Sequence, residues 1–318
     1  MSENNHPDAF TCIDDLLPSF YRSKRRENVS ERTLKNYLYS AKSLSKWLTE
    51  NDRSNCVAFV SEEDIEDFTI SYLRRGLESS AATHHRNLKQ YCKWLAEKKH
   101  ISVNPMADMK EPSVKNKKLQ TVLTQEELRS LLAVCFSTSF VDRRDLAIIL
   151  LLIDTGLRRS ELISMRTDNL SLIDGRALVT AKGGAFRLVP FGQTTAAAID
   201  EYLSARRKSK FANEKILWLG QRGPLSGSGL AQMLERRGEQ SGVAEVNPHR
   251  FRHTFSHNWL LEGGNESDLM HITGWSTRQM IGHYAKSGQA ERAFKAHEER
   301  SPSDRLSGIN FLAGGKAA

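Results

Sequence analysis

Residues 247–284 read NPHRFRHTFSHNWLLEGGNESDLMHITGWSTRQMIGHY, and this stretch decides how the rest of the chain is interpreted. It begins as a helix, because Asn247 precedes a proline and proline is favoured at the first helical position. Phe251, Phe255 and Trp259 recur every four residues and predict a buried face. A Gly-Gly pair then ends this helix. The stretch therefore predicts short helical segments that carry histidines, an arginine, a tryptophan and a tyrosine.

The composition describes a basic globular protein. The chain has 318 residues, 39% of them hydrophobic and 26% charged, with a formal net charge of +8. This length favours two domains. An excess of positive charge indicates a polyanionic partner, with nucleic acid ahead of an acidic membrane surface, although a merely soluble basic protein would carry the same charge. No apolar run is long enough to span a bilayer, so no membrane partner is expected.

Four cysteines (Cys12, Cys56, Cys92 and Cys135) are widely spaced and form no CxxC pair. Their spacing argues against a zinc site and against a disulfide framework, and it suits a reducing cytosol. The N-terminus has no basic-then-apolar signal pattern. We therefore expect a cytoplasmic protein with buried free thiols.

The N-terminal part predicts a small all-helical domain over residues 11–106. Ser30 can cap one helix, and Ser61 with Asp64 resembles a capping box before another. A further helix is predicted to open at Ser79 or Ser80, with His84-His85-Arg86 near its start, where backbone N–H groups could meet a phosphate. Residues 107–120 form a basic linker. From this domain and the linker, the residues predicted to contact DNA are Arg86, Lys89, Lys115, Lys117 and Lys118, although ordinary solvated lysines would look the same.

The second domain, residues 121–300, opens with the capping-box pattern of Thr124 and Glu127. A strongly apolar helix over 142–154 and a second helix over 157–165 flank a Thr-Gly break. Strand signals then alternate with DG and GG turns over 170–190, which predicts a small antiparallel sheet with Lys182 near a hairpin tip. Another short strand is predicted over 216–219. The overall class is mainly α with a small antiparallel β-sheet, followed by a tail over 301–318.

Several side chains in this domain can act together on a phosphate. Arg158 follows the Thr-Gly break beside a buried helix, so it needs either Glu161 or a bound anion as a partner. His249 and Arg252 are three residues apart and can reach one ligand. The arginine fork matches two phosphate oxygens. Tyr284 offers a phenol, which becomes a nucleophile when nearby cations favour the phenolate.

The chain resembles the tyrosine recombinase (phage integrase) family. The matching residues are TGLRRSEL (155–162), the hairpin lysine of AKGG (181–184), HRFRHTF (249–255), and TGW (273–275) nine residues before Tyr284. The resemblance covers roughly residues 11–300 and departs from the family where Thr273 replaces its usual leucine. It implies a helical, SAM-like core-binding domain followed by an α+β tyrosine-recombinase catalytic domain.

The resemblance also implies a role for each matching residue. Tyr284 would attack the phosphorus, form a 3′-phosphotyrosine and release a 5′-hydroxyl. Arg158 and Arg252 would clamp the scissile phosphate, Lys182 would protonate the leaving oxygen, and His249 would handle the proton of the nucleophile. Trp275 would pack against the phosphate site and Glu161 would orient its neighbours. His253 is expected to be structural.

The resemblance implies no cofactor, metal or ATP, because cationic side chains stabilise the phosphate and the covalent link conserves the energy of the broken bond. The predicted activity is site-specific DNA recombination by a homotetramer on paired DNA sites. A DNA-binding regulator on the same fold with little strand-exchange activity is the first alternative. A type IB topoisomerase, which shares the chemistry but acts without paired sites, is the second. The target sequence and the biological outcome of recombination stay open.

Overall fold

The computed structural model describes residues 11–114, 121–180 and 184–279, together with positions 281, 294, 297, 298, 301 and 303. Five residues of the predicted site lie outside the described residues: Lys115, Lys117, Lys118, Lys182 and Tyr284. The predicted tail over 301–318 also lies outside them, apart from positions 301 and 303. The chain divides into two compact units, Met1–Lys118 and Leu119–Ala318.

The N-terminal unit is helical in its described part. Its helices are α1 (Ile13–Arg26), α2 (Glu31–Glu50), α3 (Glu62–Arg74) and α4 (Glu78–Glu97). The predicted caps of α2 and α3 are confirmed: the Ser30 side chain accepts from the backbone N–H of Thr33, and Ser61 forms a reciprocal capping box with Asp64. Leu44, Phe68 and Leu88 are among the apolar side chains that meet in one core.

The predicted start of α4 is wrong. The helix begins at Glu78, and the Leu77 carbonyl accepts its first helical hydrogen bond from Ala81. The first turn carries Glu78, which suits the positive end of the helix dipole. His84 and His85 therefore lie inside the helix and are buried, 6% and 2% exposed. Their backbone N–H groups serve the helix and are not at an N-terminus where a phosphate could bind.

The second unit combines seven helices with two small sheets in its described part. The helices are α5 (Gln125–Ala133), α6 (Phe140–Thr155), α7 (Arg159–Ile163), α8 (Gln193–Arg206), α9 (Gly227–Ser241), α10 (Pro248–Leu261) and α11 (Glu266–Thr273), with one 3-10 turn at Thr167–Asn169. The predicted capping box of Thr124 with Glu127 and the predicted cap at Asn247 are both present. The apolar helix α6 is buried and packs against α8 and α10.

The predicted antiparallel sheet is confirmed and carries the lysine hairpin. Its strands are β1 (Leu170–Ser171), β2 (Arg176–Thr180) and β3 (Phe186–Pro190), in the order β1-β2-β3. β2 and β3 pair from Arg176↔Pro190 to Thr180↔Phe186 and form the lysine hairpin, named for Lys182 in the connecting sequence 181–185, of which 181–183 lie outside the described residues. Alternate positions of this pair, Ala177, Val179 and Val189, enter the domain core.

Two predicted elements differ from the observed ones. The helix predicted over 157–165 is only α7, because the chain beyond it pairs with a distant segment: the Met165 carbonyl accepts from Leu217, and Arg166 forms a bridge with Ile216. The strand predicted over 216–219 is for the same reason split between that bridge and β4 (Leu219–Gly220), which pairs with β5 (Gly223–Pro224). No sequence signal pointed to β5.

The cysteines form no disulfide, as predicted. Cys56, Cys92 and Cys135 are buried free thiols, while Cys12 is only half-buried. Burial raises the pKa of Cys92 to about 12, so this thiol stays protonated. Across the described part of the chain, no helix has the length and apolar character needed to cross a membrane.

Candidate active site

A left-handed glycine places the first arginine of the site. α6 ends at Gly156, whose φ of +54° is a conformation that favours glycine. A Cβ at this position would lie 3.1 Å from the Arg252 Cα and 3.0 Å from the Phe255 ring. Gly156 thus turns the chain from α6 to α7 and lets α10 approach closely. This close approach brings α10, which carries Arg252, to the start of α7, where Arg158 lies.

Arg158 is the N-cap residue of α7 and is fixed by Glu161. Its backbone N–H donates to Glu161 Oε2 and its Nη1 donates to Oε1, both at 2.9 Å. Of the two partners predicted for Arg158, Glu161 or a bound anion, the structure shows Glu161. The Arg158 side chain keeps 33% of its surface exposed, whereas the Glu161 side chain is only 2% exposed. The carboxylate lies beneath the guanidinium, on its protein side, and leaves part of the guanidinium accessible to a ligand.

Arg252 reaches the same place from α10. Its side chain is buried, with Nη1 2.9 Å from the Gly156 carbonyl and Nη2 2.8 Å from the Thr273 carbonyl. Arg158 Nη1 donates to that same Thr273 oxygen at 3.1 Å. Two guanidinium groups from elements 90 or more residues apart in the sequence thus share one acceptor. The structure thus brings Arg158 and Arg252 together.

The acceptor carbonyls belong to the C-terminal end of α11. The last carbonyls of a helix have no partner within the helix, and they carry the negative end of its dipole. Here Arg158 Nη2 donates to Gly274 at 3.1 Å, and Thr273 serves both arginines. Gly274, at φ +66°, ends the helix in a left-handed turn. The two arginines are therefore hydrogen-bonded to the C-terminal end of α11. These bonds fix the point from which the chain continues toward residue 284.

Trp275 and His249 lie beside the arginine pair. The Trp275 ring is 5.1 Å from the Arg252 guanidinium carbon, a cation–π distance, and Trp275 is 5% exposed. His249 is exposed at the start of α10, although neighbouring protein removes part of the hydration of its ring. Lost hydration and then the charge of Arg252 lower the pKa of His249 below its ordinary 6.5. The imidazole is consequently neutral at pH 7 and able to accept a proton.

A third arginine, Arg187 on β3, joins the site and was missed by the sequence analysis. Its Nη1 and Nη2 donate to the two carboxylate oxygens of Glu161, each at 2.8 Å. Burial opposes ionisation of Glu161, but hydrogen bonds from Arg187 and Arg158 prevail and lower its pKa. Strand alternation offered a signal: Arg187 lies two residues before the buried Val189 and so faces the core, where an arginine needs a partner.

The site is cationic. Arg158, Arg187 and Arg252 contribute three positive charges and Glu161 one negative charge, so these four groups sum to +2. His249 is neutral at pH 7. Among the residues that the structure describes, no three His, Cys, Asp or Glu side chains are grouped as ligands for a metal ion. The charge and the donor geometry suit an oxyanion such as a phosphodiester.

The residues predicted to contact DNA from the helical unit are partly engaged within the protein. Arg86 is exposed on α4 and lies 3.3 Å from Glu111. The Lys89 amine is 3.4 Å from the Met109 carbonyl. The two side chains are three residues apart and share one side of the helix. They belong to the first unit.

Comparison with known proteins identifies the class. Residues 121–291 match the phage integrase family, and residues 16–110 match the SAM-like N-terminal domain of phage integrases. The chain therefore belongs to the phage integrase family of tyrosine-type, site-specific DNA recombinases. The predicted family, fold and enzyme class are confirmed.

Individual relatives agree with this assignment. The chain is 27% identical to the tyrosine recombinase XerD of Oceanobacillus iheyensis over 278 residues, covering 85% of this chain and 90% of the relative. It is 29% identical to XerC of Bacillus pumilus, covering 76% and 82%. Among solved structures, XerH bound to a palindromic difH substrate has a TM-score of 0.71 at 17% identity, with 92% and 85% covered. A lambda integrase dimer on a core site has a TM-score of 0.68 at 16% identity, with 86% and 77% covered.

Proposed function

We propose that this recombinase cuts and rejoins DNA strands through a 3′-phosphotyrosine intermediate formed by Tyr284. The observation that carries the proposal is the pair of guanidinium groups, Arg158 and Arg252, that share the Thr273 carbonyl. The shared acceptor places two forked donors side by side, with Trp275 against one of them. Tyr284 follows Trp275 by nine residues, which is the family spacing.

The arginine pair stabilises charge that develops on phosphorus. A phosphodiester carries one negative charge, and attack by an oxygen nucleophile adds a second in the five-coordinate transition state. The charges of Arg158, Arg187, Arg252 and Glu161 sum to +2, and these groups are fixed in place before the reaction, so they require little reorganisation. Arg158 has five N–H donors, of which three serve Glu161, Thr273 and Gly274. The remaining two are suited to the non-bridging oxygens.

The proton transfers follow from the remaining residues. The Tyr284 oxygen forms a bond to phosphorus and gives its proton to His249, which is neutral at pH 7. The bond from phosphorus to the 5′-oxygen breaks, and Lys182 protonates that oxygen as it leaves. Ligation reverses these steps with a 5′-hydroxyl from another strand. The phosphodiester energy is kept in the tyrosine ester, so the cycle needs no metal or ATP.

We further propose a homotetramer on two paired DNA sites. Complexes of lambda integrase include a dimer on a core site and a tetramer on a Holliday junction. Strand exchange between two duplexes uses four cleavage sites, and each protomer supplies one nucleophile. Native mass spectrometry of the protein with its selected site should show four copies per pair of duplexes. A monomeric complex at all DNA ratios would contradict this assembly.

The experiment that tests the chemistry begins by selecting the bound sequence from a randomised duplex library. That sequence is then nicked near the cleavage position, so that the released fragment diffuses away and the covalent complex is trapped. Wild type should form a denaturant-resistant protein–DNA adduct, and Arg158→Ala and Arg252→Ala should each reduce its rate strongly. Selective DNA binding without any adduct would favour the regulator alternative. Relaxation of supercoiled plasmids that lack the selected site would favour the topoisomerase.

A further inference from the structure

Arg187 lies at the end of β3 that is nearest the lysine hairpin. Its side chain is 8% exposed and it pairs opposite Val179, which is itself buried. Phe186 and Leu188, its neighbours along the strand, are 65% and 47% exposed. Val189 anchors the far half of the strand in the core. Within the described part of β3, Arg187 is therefore the side chain that anchors the half adjoining residues 181–185.

The Arg187 guanidinium connects three elements. Two donors bind the Glu161 carboxylate on α7, and Nε donates to the Ile272 carbonyl near the end of α11 at 3.0 Å. Gly274 makes room for this arrangement, because a Cβ at that position would lie 3.0 Å from Arg187 Nη1. A lysine could keep the charge but could not hold all three acceptors in this geometry, because its ammonium is a point donor.

Arg187 differs from Arg158 in how much of its side chain is accessible to a ligand. Arg158 keeps a third of its side chain exposed toward a ligand, whereas Arg187 is nearly covered by protein. If Arg187 were shortened, Arg158 would still bind Glu161, Thr273 and Gly274. The start of β3 would no longer be hydrogen-bonded to α7 and α11. The part that would shift is therefore the start of β3, which follows Lys182 by four residues in the sequence.

We propose that Arg187 is a positioning residue for cleavage: it fixes the lysine hairpin relative to the arginine pair, so that Lys182 can protonate the leaving 5′-oxygen. This inference rests on the proposed function, in which Lys182 is the general acid. Its consequence is specific. Loss of the Arg187 fork should impair protonation of the leaving group more than it impairs stabilisation of the phosphate.

A buried arginine elsewhere in the same domain supplies a matched control. Arg237 on α9 is 5% exposed and binds the Asp145 carboxylate through Nε and Nη2, with Nη1 on the Val134 carbonyl. It joins α9 to α6 and to the end of α5, and its hydrogen-bond partners include no predicted site residue. Arg237→Lys thus removes a comparable buried guanidinium group and leaves the hydrogen bonds of Arg187 to α7 and α11 in place.

The test uses two trapping substrates made from the selected DNA site, one with the normal 5′-oxygen at the scissile bond and one with a bridging 5′-sulfur. A thiol has a pKa near 8.5, far below that of an alcohol, so a thiolate leaves with little help from a general acid. Single-turnover adduct formation is measured at saturating protein for wild type, Lys182→Ala, Arg187→Lys, Arg187→Gln and Arg237→Lys. Circular dichroism establishes that each variant is folded at the assay temperature.

Both Arg187 variants should cleave the oxygen substrate about 10- to 100-fold more slowly than wild type, because small misplacements of a reacting group carry penalties of that size. On the sulfur substrate they should lie within a few-fold of wild type, as Lys182→Ala should. Arg237→Lys should lose stability but cleave both substrates within about threefold of wild type. If Arg187→Gln does not fold, Arg187→Lys, which keeps the buried positive charge, decides the question.

Two results would overturn the proposal: equal losses of the Arg187 variants on both substrates, or normal cleavage of the oxygen substrate by Arg187→Lys. Equal losses would assign Arg187 to the phosphate clamp or to folding. Failure of the proposed function has a different signature. In that case wild type forms no adduct with either substrate, or Lys182→Ala is not rescued by sulfur.

Discussion

The fold and the site both depend on the absence of a Cβ atom at Gly156. Gly156→Ala would place an L residue at φ +54°, which costs about 1–2 kcal/mol. The new methyl would also lie 3.1 Å from the Arg252 Cα and 3.0 Å from the Phe255 ring, and overpacking of this kind costs about 1–3 kcal/mol. Because the Arg252 Cα is a backbone atom, a change of rotamer cannot relieve the crowding.

Gly242 provides the matched control for this substitution. It also ends a helix of the same domain in the left-handed region, at φ +73°, but no atom lies within 4 Å of its would-be Cβ. Gly242→Ala therefore carries the conformational penalty without the crowding. The smaller entropy of the unfolded alanine chain offsets both variants equally, by about 0.4–1 kcal/mol. We expect Gly156→Ala to be less stable than Gly242→Ala by about 1–3 kcal/mol.

Urea denaturation measures this difference, and the trapping assay measures its effect on the site. α10 carries both His249 and Arg252, so a shift of this helix should slow adduct formation by about 10- to 100-fold in Gly156→Ala. Gly242→Ala should cleave like wild type. Equal stability of the two variants would refute the crowding argument. A destabilised Gly156→Ala with normal cleavage would refute the claim that Gly156 aligns α10 with Arg158.

Three further predictions concern charge. Glu161→Gln should lose about 3–5 kcal/mol of stability, since it leaves buried guanidinium charge uncompensated, as urea denaturation would show. Because the pKa of Glu161 is lowered, its ionised form contributes to the free energy of unfolding above pH 4.5, and this contribution is lost as pH falls through the folded-state pKa. A Gln variant whose stability falls with decreasing pH in the same way as that of wild type would contradict this. The pKa of His249, followed by NMR, should lie below 6.5 in the free protein and rise when the DNA phosphate binds; a value of 6.5 or above without DNA would argue against the assigned environment. Replacing Lys115, Lys117 and Lys118 together by alanine should flatten the slope of log affinity against log salt by about 0.9 for each phosphate that these lysines neutralise; an unchanged slope would show that the linker does not bind the DNA backbone.

Local chemistry explains which parts of the fold were predictable. The helix starts after Ser30, Ser61, Thr124 and Asn247 were predicted correctly, because each side chain caps a backbone N–H two or three residues away. The start of α4 was not, because Leu77 provides no side-chain cap and the serines that follow it lie inside the helix. Where a cap is made by backbone alone, the sequence carries little signal.

Pairing between distant parts of the chain explains which features of the fold and of the site could not be predicted. α7 is shorter than predicted because residues 165–167 pair with 215–217, about 50 positions away. The sequence predicted Arg158 and Arg252 as partners in one site through the family motifs. It could not predict that the end of α11 would be their common acceptor, or that Arg187 would reach Glu161 from a strand 26 residues away. Such pairings depend on tertiary packing and on the choice among several possible partners.

The proposed covalent chemistry is tested most directly by the identity of the residue that becomes linked to DNA. The trapped adduct is digested with trypsin and nuclease, and the modified peptide is sequenced by mass spectrometry. Cleavage after Arg278 and Lys286 yields the peptide QMIGHYAK, in which Tyr284 is the single tyrosine. We predict that this peptide carries the nucleotide on Tyr284, and that Tyr284→Phe forms no adduct. Attachment to any other residue, or an undiminished adduct from Tyr284→Phe, would contradict the central claim.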